Sequence, residues 1–397
     1  MYKVYGRTYQ RTMKLATKYV HFREPDLLEG ENSLLKLPIL IASKGVKTLL
    51  VVTDEGIQKL GLMEPLLEKL AEEGIHYTIY DKTVPNPTID NIEEARAIYL
   101  EHACDGILAF GGGSPMDCAK GVAARIVRPE KAVQKLKGSL KVRKEMPPFF
   151  AVPTTAGTGS EATVAAVVSN SETNEKYAIM DPVLIPHVAV LDPLLTVKLP
   201  KLITATTGMD ALTHAVEAYI GRSNTNETYA YSIEAVKLIF EHLYTAYIDG
   251  ENIEARKAMQ RASYLAGMAF TRAYVGYVHA VAHTLGGFYH IPHGLANAVL
   301  LPYVLELYGK SAHKPLAELA AIVGITGATE EEQAQNFIQA IRELNAKMDI
   351  PEKLQGIENR DVPVMIERAH SEAVPLYPVP RFLSKDELFY LYQVIQP

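Results

Sequence analysis

Short apolar runs alternate with helical patterns through the first half of this chain, and that alternation leaves few folds open. KTLLVVT (47–53), HYTIYD (76–81), DGILAF (105–110), FFAVP (149–153) and HVAVLDP (187–193) are strand-like, and most are apolar at successive positions rather than at every second one. Between them, EGIQKLGLMEPLLEKLAEEG (55–74) and IDNIEEARAIYLEHA (89–103) repeat their apolar residues at helical spacing. A strand without polar alternation is buried on both faces, which is the condition of parallel strands joined by helices. The sequence therefore predicts an α/β fold with a parallel sheet and helices on both faces.

From about Leu194 the pattern changes. IEAVKLIFEHLYTAY, ARKAMQRASYLAGMAFTRAYVGYVHAVAH, LAELAAIVG and AQNFIQAIRELNAKM are all helical in period, with no strand pattern among them. At 397 residues the chain exceeds one comfortable core. We expect an α/β domain over 1–193 and an all-helical domain over 194–397, with ligands favoured in the cleft between domains.

Composition narrows the function classes. With 48% hydrophobic and 22% charged residues and no repeat, the chain reads as soluble and globular. A net charge of −6 gives no nucleic-acid footprint. No apolar run approaches the roughly 18 residues of a membrane span. Cys104 and Cys118 are too few for a disulfide framework, suit a reducing cytoplasm, and read as core fillers. The N-terminal MYKVYGRTYQRTMKLATKYVHFREP carries six Lys/Arg before its first acid, Glu24. It is Tyr-rich and Ser-free, so a packed helix or arm is expected rather than a targeting segment.

Two loops in the first half have the chemistry of a phosphate cradle. DGILAFGGGSPMDCAK (105–120) reads as strand, glycine turn and helix, with Ser114 at the cap, Pro115 at the first helical position and Asp117 in the first turn. Three glycines, 111 to 113, let backbone approach a ligand, and the helix start offers N–H groups to an anion. The motif departs from G-x-G-x-x-G, because the acid suited to a ribose precedes the glycines. Asp54 ends the strand KTLLVVT, where a carboxylate either accepts the adenosine ribose hydroxyls and repels a 2′-phosphate, or simply caps the next helix. AVPTTAGTGSEAT (151–163) follows another strand and is dense in hydroxyls and accessible N–H groups. Together the two loops predict a dinucleotide site.

The helical half carries the metal-binding chemistry. TGMDALTHAVEAY (207–219) puts Asp210 and His214 four apart on one helical face. VHAVAHTLGGFYHIPHG (278–294) holds four of the twelve histidines: His279, His283, His290 and His293. It lacks the Glu of an H-E-x-x-H protease motif. On an unbroken helix His279 and His293 would stand about 21 Å apart, too far for one ion. Gly286-Gly287 and Pro292 are expected to break the helix and fold it back. The residues then permit one site from Asp210, His214, His293 and one or both of His279 and His283. A cysteine-free Asp/His set suits Fe²⁺, Zn²⁺, Mn²⁺ or Co²⁺ in an open, catalytic position.

Taken together, VVTD (51–54), PNPT (85–88), GGGSPMD (111–117), PTTAGTGSEAT (153–163), TGMDALTHAVEAY and VHAVAHTLGGFYHIPHG resemble, in order, the iron-containing (group III) alcohol dehydrogenases, in the lactaldehyde/propanediol reductase branch. The resemblance implies the dehydroquinate synthase-like architecture: a dinucleotide-binding α/β domain followed by an all-α metal-binding domain. It makes Asp210, His214, His279 and His293 the ligands of one divalent metal, Fe²⁺ foremost and Zn²⁺ second. His283 becomes a catalytic neighbour, Phe270 lines the alcohol pocket, and His290 has no role. For NAD(H) it points to Asp54, Asn86, Gly112, Gly113, Ser114, Asp117, Thr154, Thr155, Thr158, Thr163 and Lys176.

The implied activity is hydride transfer between NAD(H) and a small primary alcohol or aldehyde, in a cytoplasmic homodimer. A related lyase using bound NAD, or a polyol dehydrogenase, is the alternative. Two departures stand out: AVPLYPVPRF (373–382) lacks the family's Gly-Asn-Pro-Arg pattern, and the basic N-terminal thirty residues are longer than in many members.

Overall fold

A computed structural model describes residues 2–17, 20, 22–171, 173 and 175–397 of the chain. They form two compact units: His21–Lys198, and Leu199–Pro397 joined by Met1–Val20.

The strands of the first unit are β1 (Asp26–Glu29), β2 (Thr48–Val52), β3 (His76–Tyr80), β4 (Gly106–Gly111), β5 (Gly138–Ser139), β6 (Phe149–Pro153), β7 (Ala165–Asn170), β8 (Glu175–Met180) and β9 (Val188–Leu191). Six of them make one sheet in the order β1-β9-β6-β4-β2-β3, every pair parallel. The all-apolar runs are explained by two separate cores. Leu50, Val52, Ile107, Ala109, Phe149 and Ala151 enter one, while Leu49, Val51, Leu108, Phe110, Phe150 and Val152 enter the other. Period-2 side-chain direction sorts each strand onto both faces, and both faces are covered.

Three strands form a second, smaller sheet in the order β5-β8-β7, with β7 and β8 antiparallel. Sequence patterning did not reveal it, nor the edge strand β1, whose four residues DLLE are too few for a period to register. Within the main sheet, β2 lies between β3 and β4, so the chain runs out to the β3 edge and returns on the other side of β2. The loops after β2 and β4 therefore leave from a topological switch point, the usual ligand position of an open parallel sheet.

The second unit is helical among its described residues. Its central helix, Lys201–Ile220, is buried almost all round from Thr204 onward, as a helix apolar on every face must be. It packs against Asn226–Ile248, Ile253–Ala273 and His293–Tyr308. No helix among the described residues is long and apolar enough to cross a membrane.

One expected feature is corrected. Gly286 and Gly287 do not break the helix but lie inside Tyr277–Tyr289. Glycine weakens a helix by only about 1 kcal/mol per residue, and burial of Val278, Val281, Ala282 and Leu285 outweighs that. The chain reverses instead at His290, whose φ of 55° is left-handed, and Pro292 then precedes the helix His293–Tyr308. His290 thus acts through its backbone, a role its imidazole did not suggest.

β4 ends on a glycine whose backbone leaves little room for a side chain. Gly111 has φ +148°, and a Cβ there would sit 2.7 Å from Pro115 Cγ. Gly111→Ala is expected to lower unfolding free energy by about 1–3 kcal/mol, read as a fall in the thermal midpoint; an unchanged midpoint would refute the strain.

Candidate functional site

The Lys201–Ile220 helix carries Asp210, and the 277–289 and 293–308 helices carry His279 and His293. One ligand atom from each of these three residues lies within 4.8 Å of the other two. Asp210 Oδ1 is 3.8 Å from His279 Nε2 and 3.7 Å from His293 Nε2. Gly294 makes this approach possible, since a Cβ there would fall 2.4 Å from the Thr206 carbonyl oxygen. Asp210 and His279 are buried, whereas the His293 side chain keeps 27% exposure and opens one flank of the cluster.

The tautomer of His279 is set from behind. Its Nδ1 lies 2.7 Å from Glu217 Oε2, and the N–H groups of Gly276 and Val278 donate to Glu217 at 2.8 Å each. Glu217 is seven residues past Asp210 on the same helix and is buried. Burial pushes its carboxyl up to about 7, against those backbone N–H bonds. A proton on Nδ1 leaves Nε2 as a bare lone pair facing the Asp210 carboxylate. Two electron-pair donors 3.8 Å apart suit a cation between them, and a carboxylate–histidine pair behind a ligand is how such sites are oriented. The donor set is one carboxylate and imidazoles without thiolate, so the residues fit a single divalent ion.

Asn297, one turn after His293, was not singled out by the sequence reading. Its Nδ2 lies 2.6 Å from Asp210 Oδ1 and 3.2 Å from Nε2 of both His279 and His293. Glu217 was missed too; its signal was only its presence in TGMDALTHAVEAY, since the helical period does not say which apolar-face carboxylate serves a histidine.

His214 stands apart from that three-residue group. Its ring stacks on His279 at 4.4 Å between centroids and on Phe270 at 4.2 Å. His283 is also outside the group. Its ring stacks on His293 at 5.3 Å, and its Nδ1 is 2.6 Å from Glu372 Oε1, an atom that also accepts the Tyr377 hydroxyl at 2.6 Å.

In the α/β unit the loops after the strands bring together residues singled out for a cofactor. Gly112, and not the expected Ser114, caps the helix Gly113–Val127, so Ser114 and Pro115 lie inside its first turn. A Cβ on Gly112 would lie 3.3 Å from Thr155, and one on Gly113 would lie 2.8 Å from Thr158, so only glycine lets the threonine loop come this close. Thr154 donates its N–H to Gly111 O at 3.0 Å, and its buried hydroxyl has no hydrogen-bond partner among the described residues. Asn86, at a left-handed φ of 58°, links two others: its N–H donates to Ser114 Oγ at 3.2 Å, and Lys176 Nζ donates to its Oδ1 at 2.7 Å. An unmatched hydroxyl on the threonine loop, and a helix start joined through Asn86 to a lysine, fit a phosphate-bearing ligand.

Two of the singled-out acids are engaged locally. Asp54 Oδ1 accepts from Ile57 N at 2.9 Å and so caps the Glu55–Lys59 helix. Asp117 accepts from Ser160 Oγ at 2.9 Å and from Val167 N at 3.1 Å, tying the threonine loop to β7. Thr163 is held by Lys120, whose Nζ donates to Thr163 O, Thr163 Oγ1 and Ala165 O at 2.8–3.0 Å. Burial lowers the Lys120 ammonium to about 8, opposed by Asp117 and Glu161. Lys120 lies within DGILAFGGGSPMDCAK, but its residue type alone does not mark it as the anchor of a distant loop.

Comparison with known proteins agrees across the chain. The family described as "Iron-containing alcohol dehydrogenase" matches residues 25–193, and "Fe-containing alcohol dehydrogenase family, C-terminal" matches 204–395. A 1,3-propanediol dehydrogenase of Klebsiella pneumoniae is 42% identical over 82% of this chain and 85% of its own length. An NADPH-dependent butanol dehydrogenase of Clostridium saccharobutylicum is 36% identical over 93% of this chain and 96% of its own. The solved structure of an alcohol dehydrogenase from Oenococcus oeni superposes with TM-score 0.91 at 36% identity, covering 94% and 99% of the two chains.

Glu217→Ala removes the acceptor of three buried donors, the Gly276 and Val278 N–H groups and His279 Nδ1. Each orphaned donor costs about 1–3 kcal/mol, so a clear fall in the urea midpoint is expected; a midpoint equal to the parent's would show that the clamp contributes nothing.

Proposed function

The chain belongs to the iron-containing alcohol dehydrogenase family, and from that premise we propose that it interconverts a small primary alcohol and its aldehyde with NAD(H) at one divalent metal ion. The observation that carries the metal assignment is the convergence of Asp210 Oδ1, His279 Nε2 and His293 Nε2. We assign His214, one turn after Asp210, as the fourth ligand, and Fe²⁺ as the ion with Zn²⁺ second. NAD(H) is assigned to the loops bearing Asp54, Asn86, Gly112, Gly113, Ser114, Thr154, Thr155, Thr158, Thr163 and Lys176, with Asp117 anchoring the threonine loop beneath them.

When bound, the ion supplies a Lewis acid toward the alcohol oxygen and NAD⁺ supplies the hydride acceptor. The chain's own residues then orient and move protons. Glu217 keeps a proton on His279 Nδ1 so that Nε2 is free to ligate. His283, held through Nδ1 by Glu372, presents Nε2 as the group that takes the alcohol proton, and the carboxylate stabilises the resulting imidazolium. Phe270, stacked on His214, supplies an apolar wall for a short carbon chain. We place the enzyme in the cytoplasm, where its two buried free thiols stay reduced, as a homodimer.

The decisive measurement is metal analysis of anaerobically purified protein alongside an alcohol and aldehyde panel. Near one ion per chain and net NADH formation from a primary alcohol are expected; NAD⁺ that is never released as NADH would point to the related lyase chemistry. His283→Ala is expected to lower turnover by about 10²–10⁴-fold, the usual range for a proton-transfer group, while bound metal stays near one ion per chain. Loss of the ion in that variant would make His283 a ligand instead.

Asp54 lies two residues beyond β2, at the switch point, where its charge opposes a 2′-phosphate. The parent is therefore expected to prefer NADH over NADPH, and Asp54→Gly to relax that preference. Equal parent activity with the two cofactors would sink the assignment.

A further inference from the structure

The two stretches that depart from the family pattern, the basic N-terminus and the proline-rich 373–382, meet each other. AVPLYPVPRF has prolines at 375, 378 and 380, and from Val374 to Ser384 it forms neither helix nor strand. Its carbonyl groups must therefore find donor partners elsewhere. The helix Tyr2–Thr17 provides them. Gln10 Nε2 donates to Tyr377 O at 2.6 Å and to Pro375 O at 3.1 Å. Arg7 donates to Val379 O at 2.8 Å and to Pro380 O at 3.1 Å. Arg7 also donates to Gln10 Oε1 at 2.9 Å, which turns the Gln10 amide so that its NH₂ faces the loop. Pro378 O is taken by Arg222 N at 2.7 Å.

Apolar packing reinforces the polar contacts. The Arg7 guanidinium lies over the Phe382 ring at 4.3 Å, and a Cβ on Gly6 would fall 2.8 Å from Phe382 Cζ, so the helix is seated closely on the loop. The loop in turn places one side chain beside the histidines. Buried Tyr377 donates its hydroxyl to Glu372 Oε1, the atom that holds His283 Nδ1. A tyrosine hydroxyl and an imidazole N–H on one carboxylate oxygen leave that carboxylate little freedom to turn away.

We propose that the N-terminal helix is a positioning element of the active site: Arg7 and Gln10 hold the 375–380 loop so that Tyr377 fixes Glu372 against His283. The tyrosine, the glutamate and the helix are positioning groups that act through His283. The kinetic part of this inference rests on the alcohol dehydrogenase reading; the holding of the loop does not.

The test uses full-length, metal-loaded protein with Arg7→Ala/Gln10→Ala, Tyr377→Phe and the triple variant. The double variant is expected to lower kcat/KM for the alcohol about tenfold, as displaced catalytic groups do, with metal content and NADH affinity unchanged. Amide hydrogen exchange over 374–382 should accelerate. Gln10→Glu, which keeps the shape and loses the donor, should reproduce part of the loss, and Arg7→Lys should restore part of it. The triple variant should be no slower than the worse of its parents, because both lesions break one chain of contacts. Unchanged kcat/KM in the double variant, or losses that multiply in the triple variant, would overturn the proposal. If the parent oxidises no alcohol, the activity reading fails on its own; unchanged exchange over 374–382 in the double variant would then defeat the helix–loop assignment.

Discussion

A single buried carboxylate organises the helical unit. Glu217 takes the N–H groups of Gly276 and Val278, the otherwise unpaired donors where a helix begins, and takes His279 Nδ1 as well. The same interaction that starts the 277–289 helix therefore turns the His279 ring. Gly276 is required there because a Cβ would sit 2.6 Å from Glu217 Oε1. The orientation of the His279 ring and the helix start are thus one packing event, and Asp210 shares the helix that carries the clamp.

The α/β unit solves a similar problem with different groups. Here the loops after the parallel strands are held from beneath by side chains. Lys120 and Asp117, both on the helix Gly113–Val127, reach beneath the threonine loop and take up Thr163, Ser160 and Val167. The glycines at 112 and 113 remove the side chains that would keep Thr155 and Thr158 away. Gly113 and both supporting side chains lie on one helix, so a shift of that helix moves them together.

Much of the fold was legible because it rests on local pattern. β2, β3, β4, β6 and β9 lie where apolar runs predicted strands, and the switch to helix after about Leu194 follows the change of period. The small sheet and β1 escaped because short, half-exposed strands carry little periodic signal. The chain reversal was misplaced at Gly286-Gly287 since glycine's weak helix propensity was weighed without the burial that overrides it. Of the residues that converge in the helical unit, Asp210 and His293 were legible by residue type and spacing, whereas spacing left His279 and His283 both open and only the family resemblance chose His279. Glu217, Asn297 and Lys120 were not legible, because each acts through a partner distant in sequence and offers no motif of its own.

By itself, then, the amino-acid order determined the strand–helix alternation, the all-helical second half and the residue types able to bind a metal ion and a dinucleotide. Those properties follow from side-chain period and from chemistry carried within one segment. Tertiary structure alone decided which imidazole nitrogen faces Asp210, where the histidine-bearing chain turns back, and which loop the N-terminal helix meets. Gln10 meets Tyr377 across 367 residues of chain. No local pattern encodes such a contact, because it exists only once the intervening helices have packed.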